Sequence, residues 1–156
     1  MSMWSKNSIA SNLLFTTLLL VASLVTVDAS KASERTTNMK IRISIGDKVV
    51  TATVADNATA RDFVSVLPLS VSMKDLFGRE KYGGLPKAFS ENGPRKNTYK
   101  VGEIAYWSPD HQFAFYYHQD GESIPPPGVI PIAKIDAGAK AFNVPGSVEV
   151  TIAVAK

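Results

Sequence analysis

The sequence predicts a mainly β fold, a closed antiparallel β-barrel of about eight short strands with one or two short helices. Three observations support this prediction. Apolar and polar residues alternate in several short segments from residue 40 onward, whereas only a segment near residue 60 has a clear helical period. Closing the sheet would pair the edges that so many apolar strands expose when a sheet is open. The composition, 45% hydrophobic and 20% charged, is that of a globular domain.

The N-terminal part of the chain differs from the rest. The apolar run from Leu13 to Val27 has 27 − 13 + 1 = 15 residues. A membrane-spanning helix needs about 20, so the run matches the core of a secretory signal peptide. Small residues predict cleavage before Ser30, with a second candidate site after Ala32. We therefore expect residues 1–29 to be a signal peptide and residues 30–38 a disordered leader. The protein would then be periplasmic or secreted, without a stable membrane anchor; an uncleaved anchor is the alternative.

A hairpin opens the domain, which we expect to span residues 39–156. Isoleucines alternate with polar residues in Lys40–Ile45 and fall on one face of a strand. Gly46-Asp47 is a two-residue turn signal, and Lys48–Val54 follows as the second strand.

One helix is predicted next, over Ala58–Leu67. Asn57 is its N-cap candidate, and Pro68 ends it because proline cannot continue a helix. The apolar residues of this segment recur at helical spacing and share one side, while Arg61 points to solvent.

Five more strands follow from the same period-two pattern. They are Leu69–Lys74, Glu103–Trp107, Gln112–His118, Val129–Ile135 and Val148–Val154. Pro131 cannot donate a ladder hydrogen bond, so its strand is expected to be an edge or a bulged strand. Residues 75–87 are predicted as turns, residues 88–100 as an exposed loop and residues 136–142 as one helical turn.

The sequence argues against several kinds of chemistry. It contains no cysteine, which excludes disulfides, thiolate metal sites and cysteine nucleophiles. The formal net charge of +3 is small for a nucleic-acid surface, and basic and aromatic residues do not interleave on any predicted sheet face. His111 falls in a turn and His118 at a strand end, without carboxylates at ligand spacing. We therefore expect no metal, no cofactor, no catalytic residue and no nucleic-acid partner.

The densest aromatic segment of the chain lies between residues 103 and 118. Because successive side chains of a strand point to opposite faces, Tyr106 and Trp107 cannot both be inside, and neither can Tyr116 and Tyr117. Packing of two paired strands accounts for the rings on one face, and the others are left to line a groove. With cations from the glycine-flanked loop they would form a shallow apolar site with a cationic rim, suited to a peptide or a small anionic ligand. The candidate ligand-binding residues are Arg79, Lys81, Tyr82, Tyr106, Trp107, Tyr117 and His118.

Five motifs occur in order along the predicted domain. They are DNATARDF at residues 56–63, Leu67-Pro68-Leu69, FGREKY at residues 77–82, GEIAYWSP at residues 102–109 and PPGVIPIAKID at residues 126–136. In this order they resemble the small cyclophilin-like family of bacteria and archaea, over about residues 39–156. The resemblance implies a cyclophilin-type barrel, in agreement with the strand pattern.

The resemblance says less about activity than about architecture. Cyclophilins isomerise Xaa–Pro bonds with an arginine beside an apolar pocket, but the strand signature that carries their arginine is absent here. The arginines of the central body, Arg61 and Arg79, match no position of that signature. We therefore expect an exported binding module for a peptide or a small ligand, without the usual isomerase residues. The alternative is a divergent peptidyl-prolyl cis-trans isomerase.

Overall fold

A computed structural model describes residues 39–156 of the chain. The predicted signal peptide, residues 1–29, and the predicted leader, residues 30–38, lie outside the described residues. Within the described range, no helix combines the length and apolar character needed to span a bilayer.

The described residues form eight strands, one α-helix and one 3₁₀ turn. In chain order the elements are β1 (Lys40–Ile45), β2 (Lys48–Val54), α1 (Ala58–Ser65), β3 (Leu69–Leu76), β4 (Glu80–Gly84), β5 (Glu103–Trp107), β6 (Gln112–Tyr116), β7 (Ile130–Ile135), the 3₁₀ turn Ala139–Phe142 and β8 (Val148–Val154).

The strands close into a barrel in the order β1-β2-β7-β5-β6-β4-β3-β8, with β8 paired to β1. Every neighbouring pair is antiparallel. The alternating isoleucines of β1 all face the barrel interior, which is why Ile41 and Ile43 are fully buried. The prediction of a mainly β closed barrel is therefore confirmed.

Helix α1 begins where the sequence predicts and ends two residues earlier, at Ser65. The Asn57 side chain accepts a hydrogen bond from the Ala60 amide at 2.9 Å and donates one to the Pro131 carbonyl at 2.8 Å, so the cap also ties the helix to β7. Phe63 carries the helix into the core, where its ring lies 5.6 Å from that of Phe113.

Strand β4 is absent from the sequence-based prediction, which assigned residues 75–87 to turns. Two glycines and three charged or polar residues hide its alternation, yet Lys81 and Gly83 face inward while Glu80 and Tyr82 face outward. Gly83 has no room for a side chain, since a Cβ there would lie 2.8 Å from Cγ2 of Val71. The glycine thus allows β3 and β4 to pack closely rather than marking a turn.

Two further expectations are refined. The strand containing Pro131 is paired on both sides, to β2 and β5, and the register shifts between Ile104 and Ala105, so it is bulged and not an edge strand. The segment 88–100 is irregular as predicted but not simply exposed, because Phe89 and Tyr99 are buried. Phe89 packs with the barrel core, and Tyr99 packs on the outside of the barrel.

Candidate functional site

A groove of about 380 Å³ lies on the outer face of the barrel, over β4 and β6. Its floor is formed by Tyr82 of β4 and by Ala114 and Tyr116 of β6. One wall comes from the connection between β6 and β7, through Ile124, Pro125 and Val129. The groove therefore sits where a long connection folds back over the sheet.

Small side chains at the centre of this outer face leave space between the larger side chains around it. Ala105 of β5 and Ala114 of β6 are cross-strand partners on the outer face, and Ala114 is also opposite Tyr82. Trp107 stands one outward position farther along β5 than Ala105, since outward residues alternate. Large rings beside small floor residues produce a concave surface.

Backbone hydrogen bonds hold the wall in place. The Ile124 amide donates to the Asn97 carbonyl at 2.7 Å, and Lys96 and Val129 exchange two bonds at 2.9 and 3.0 Å. Gly128 makes this approach possible, because a Cβ there would lie 2.6 Å from the Lys96 carbonyl oxygen. The wall is thus pinned to segment 88–100.

One end of the groove contains a buried arginine. Arg79 Nε donates to Glu80 Oε2 and Nη1 to Asp120 Oδ2, both at 3.2 Å. Its guanidinium carbon lies 5.2 Å from the ring centroid of Phe77 and 5.4 Å from that of Tyr99. Burial opposes the charged form, but the two carboxylates outweigh it and raise the pKa of Arg79.

The two carboxylates bound to Arg79 differ in their surroundings. The Glu80 side chain is 8% exposed, and burial raises its pKa although Arg79 opposes the shift. Asp120 accepts a 2.5 Å hydrogen bond from the Tyr99 hydroxyl and another from the Glu122 amide. These bonds, with help from Arg79, lower the pKa of Asp120 to about 2.

The other end of the groove carries an indole and a carboxylate. Trp107 Nε1 donates to Asp110 Oδ2 at 3.2 Å, and both residues line the groove together with Gln112. The bond restrains the ring and places a carboxylate at its edge.

Phe77 lines the groove at the Arg79 end in an unfavourable conformation. Its φ is +57°, the residue is 75% exposed, and the next residue, Gly78, has φ +65°. The Arg79 amide bonds to the Leu76 carbonyl at 3.2 Å, so Phe77 and Gly78 are the central residues of a two-residue hairpin turn. Asn-Gly is favoured in a turn with two positive φ angles, and a bulky residue there is an outlier.

The structure brings together three of the seven predicted site residues. Arg79, Tyr82 and Trp107 line the groove. His118 is exposed and does not line it.

The other three residues, Lys81, Tyr106 and Tyr117, lie on the opposite side of the sheet. Tyr106 and Tyr117 belong to the barrel core, and the Tyr106 hydroxyl accepts a hydrogen bond from the Phe89 amide. Lys81 is paired with Phe115, an inward residue of β6, and is fully buried. The period of two sends neighbours such as Tyr106 and Trp107 to opposite faces.

Of the two cations expected at the rim of the groove, Arg79 and Lys81, only Arg79 lines it. Lys81 faces the interior, where Nζ donates to the carbonyls of Val144 and Gly146 at 2.5 and 2.7 Å and pairs with Asp75 Oδ2 at 2.9 Å. Arg79 is the single cation of the groove lining among the described residues, and two carboxylates bind it.

Phe77, Glu80 and Asp110 are among the groove residues that the sequence does not predict. The sequence does not predict strand β4, to which Glu80 belongs, and it predicts Asp110 only as a turn residue. Phe77 carried a signal, since a phenylalanine before glycine between two strands is unusual in a tight hairpin turn. Within residues 39–156, no group of three or more His, Asp or Glu residues is placed to hold a metal ion.

Comparisons with known proteins agree with the barrel. The sequence profile of the cyclophilin-like family matches residues 43–153. The solution structure of the hypothetical protein AF2241 from Archaeoglobus fulgidus is similar, with a TM-score of 0.64 and 20% sequence identity. The match covers 78% of this chain and 98% of the archaeal one, and at this identity it shows a shared fold. None of the curated proteins matches this chain.

Proposed function

We propose that this chain, which belongs to the cyclophilin-like family, is a binding module that takes up a peptide segment or a small ligand with an apolar body. The ligand would occupy the groove over β4 and β6. The observation that carries the proposal is a groove of about 380 Å³ lined by aromatic rings, with a few polar side chains held in place by hydrogen bonds. A concave, largely apolar surface with a few fixed polar groups is typical of ligand sites.

The conformation of Phe77 supports this proposal. A left-handed backbone costs a residue with a Cβ roughly 1–2 kcal/mol, and exposing a phenyl ring forgoes the gain from burying it. Asn at this position would avoid both costs. A ligand in the groove that contacts the ring would account for a phenylalanine here. Residues with strained backbone conformations are often found at ligand-binding sites.

The polar groups of the groove suit orientation of a ligand. Trp107 is restrained by Asp110, Arg79 is restrained by Glu80 and Asp120, and the wall is pinned by backbone bonds. A site whose groups are already fixed loses little conformational entropy when a ligand binds.

A titration of the ¹⁵N-labelled full-length chain with capped Ala-Phe-Pro-Ala and capped Ala-Phe-Gln-Ala tests the proposal. We expect shifts of the Trp107 indole resonance and of the Tyr82 and Ala114 amides. Trp107→Ala should weaken binding at least about tenfold, since an aromatic anchor is lost. Val49→Ala, which trims an exposed apolar residue outside the groove, should leave binding unchanged.

Absence of groove shifts with both peptides at millimolar concentration would contradict the proposal. Exchange spectroscopy on the same Phe-Pro sample measures the isomerisation rate of the peptide bond. Acceleration of that rate by the wild-type chain, lost in Arg79→Ala and kept in Arg61→Ala, would replace the binding module by an isomerase.

We also propose that the protein is exported to the periplasm or secreted. The apolar run Leu13 to Val27 and the small residues before Ser30 support this. Expression in a bacterial host followed by mass analysis should give a periplasmic product that begins at Ser30. Uncleaved chain in the cytoplasm or held in the membrane would contradict it.

A further inference from the structure

Glu80 has an unused hydrogen-bond acceptor in the groove. Its side chain is more than nine-tenths buried, and Oε2 is bound to Arg79 Nε. Among the described residues, no donor is bonded to Oε1. Every buried side-chain polar atom of the described residues has a partner, so Oε1 is not fully buried and remains accessible to solvent. An accessible carboxylate oxygen on a groove residue, with no donor from the chain, can accept a hydrogen bond from a ligand.

The charges of the groove lining have a negative balance. One cation, Arg79, and two anions, Glu80 and Asp110, line it, which gives +1 − 2 = −1. Arg79 is also bound by Asp120, a third carboxylate. The guanidinium is therefore already neutralised, and an anionic ligand would meet uncompensated carboxylates.

Aromatic rings stand between these carboxylates. Tyr82 and Trp107 line the groove and are partly exposed, and Phe77 is exposed beside Arg79. The faces of such rings attract cations as well as apolar groups. Rings and carboxylates in one groove are complementary to a group that is apolar and positively charged.

We propose that the ligand of this groove carries a positive charge, an ammonium or guanidinium group next to an apolar body, and that the cation binds Glu80 Oε1. This inference rests on the proposed binding function and names the chemistry of its ligand. A lysine or arginine side chain beside an apolar residue of a peptide has this chemistry, and so has a free arylalkylamine. It replaces the small anionic ligand that the sequence suggested.

Three capped peptides that differ at one position test the charge: Ala-Phe-Lys-Ala, Ala-Phe-Gln-Ala and Ala-Phe-Glu-Ala. Binding to the full-length chain is followed through the Trp107 indole resonance. We expect the lysine peptide to bind about tenfold more tightly than the glutamine peptide, and the glutamate peptide to bind more weakly than both. The preference for lysine should decrease as salt is added.

Glu80→Gln tests the residue that receives the cation. It should reduce the ratio of lysine-peptide to glutamine-peptide affinity from about tenfold to about twofold or less, because the carboxylate that receives the cation loses its charge. Glu149→Gln, at an exposed position of β8 outside the groove, should keep the full preference. If Glu80→Gln does not fold, Asp110→Asn takes its place and should reduce the preference by a smaller factor.

The outcomes separate the two proposals. Groove shifts with all three peptides at equal affinity would overturn the cation and leave the binding module intact. An unchanged lysine preference in both Glu80→Gln and Asp110→Asn would also overturn it. Absence of groove shifts with every peptide would remove both proposals.

Phenethylammonium, tested in the same titration, distinguishes the sources of the cation. Binding as tight as that of the lysine peptide supports a small amine as ligand. Binding that needs the peptide supports a basic peptide segment.

Discussion

Glu80 and Lys81 are neighbours on β4 and are both buried charges, yet their surroundings differ in kind. Inside the barrel, the Lys81 ammonium has three acceptors: the carbonyls of Val144 and Gly146 and the carboxylate of Asp75. Outside, Glu80 has one donor and one oxygen without any among the described residues. A charged group whose hydrogen-bonding positions are all filled by the chain can only stabilise the fold. A charged group with an open position can also bind a ligand.

The same division separates Tyr106 from Trp107. Tyr106 is fully buried, and its hydroxyl is bonded to the Phe89 amide in the core. Trp107 packs against the outer hydrophobic cluster but remains partly exposed, and its N–H donates to Asp110. The inner face of β4, β5 and β6 is thus organised for stability, and the outer face keeps surface available.

Lys81→Met should give the largest loss of stability. It removes the donor from two carbonyls and a carboxylate, and breaking such a network costs about 3 kcal/mol in free energy of unfolding. Lys74→Met, the same change at an exposed position of β3, should stay within about 0.5 kcal/mol of wild type. Urea unfolding followed by circular dichroism measures both. Equal free energies of unfolding of the two variants would show that the hydrogen bonds of Lys81 do not stabilise the fold.

The sequence predicts the features of the fold that depend on local patterns and misses those that depend on distant contacts. Alternating isoleucines in β1 and the Asn57 cap of α1 are local signals, and the structure agrees with both. The surroundings of Lys81 are not local: its carbonyl partners are 63 and 65 residues away along the chain. Only the closed barrel brings them together, so a lysine in a glycine-flanked segment looked like a surface cation.

The candidate site was half predictable for a related reason. Alternation shows that Tyr106 and Trp107 face opposite ways, but it does not say which of two aromatic faces is the core. That choice depends on neighbours such as Phe63 and Phe89, which come from α1 and from an irregular segment. Glu80 is not predicted because its strand, β4, is not predicted. In the sequence Gly83 of this strand resembles a turn residue, and only the structure shows that it is needed for close packing against Val71.

Phe77→Asn should have a smaller effect on stability and the opposite sign. Asn relieves about 1–2 kcal/mol of backbone cost in the turn and gives up a cation–π contact of about 0.5–1 kcal/mol, so the free energy of unfolding should rise by about 0.5–1 kcal/mol. The affinity for capped Ala-Phe-Gln-Ala should fall, because the ring is lost. Phe77→Ala is the matched control: it also loses the ring but keeps the backbone cost. It should therefore weaken binding without stabilising the fold. Tighter binding by Phe77→Asn would contradict a role of the outer face in binding.

The smallest effect is expected in acid and concerns the two carboxylates that share Arg79. The pKa of Asp120 is about 2 in the folded protein against an ordinary value of 3.8, so the unfolded chain binds more protons between these values. Its contribution to stability is complete above about pH 4 and is lost as the pH falls toward 2. Glu80 has a raised pKa, so its folded form binds the proton more readily and its effect on stability has the opposite slope.

Asp120→Asn should therefore flatten the fall of the urea midpoint between pH 4 and pH 2. Tyr99→Phe should flatten it in part, since the Tyr99 hydroxyl is the main cause of the low pKa of Asp120. Equal slopes in wild type and Asp120→Asn would mean that Asp120 is not held to Arg79 and Tyr99 in solution, and the Arg79 end of the groove would then be less fixed than its contacts indicate.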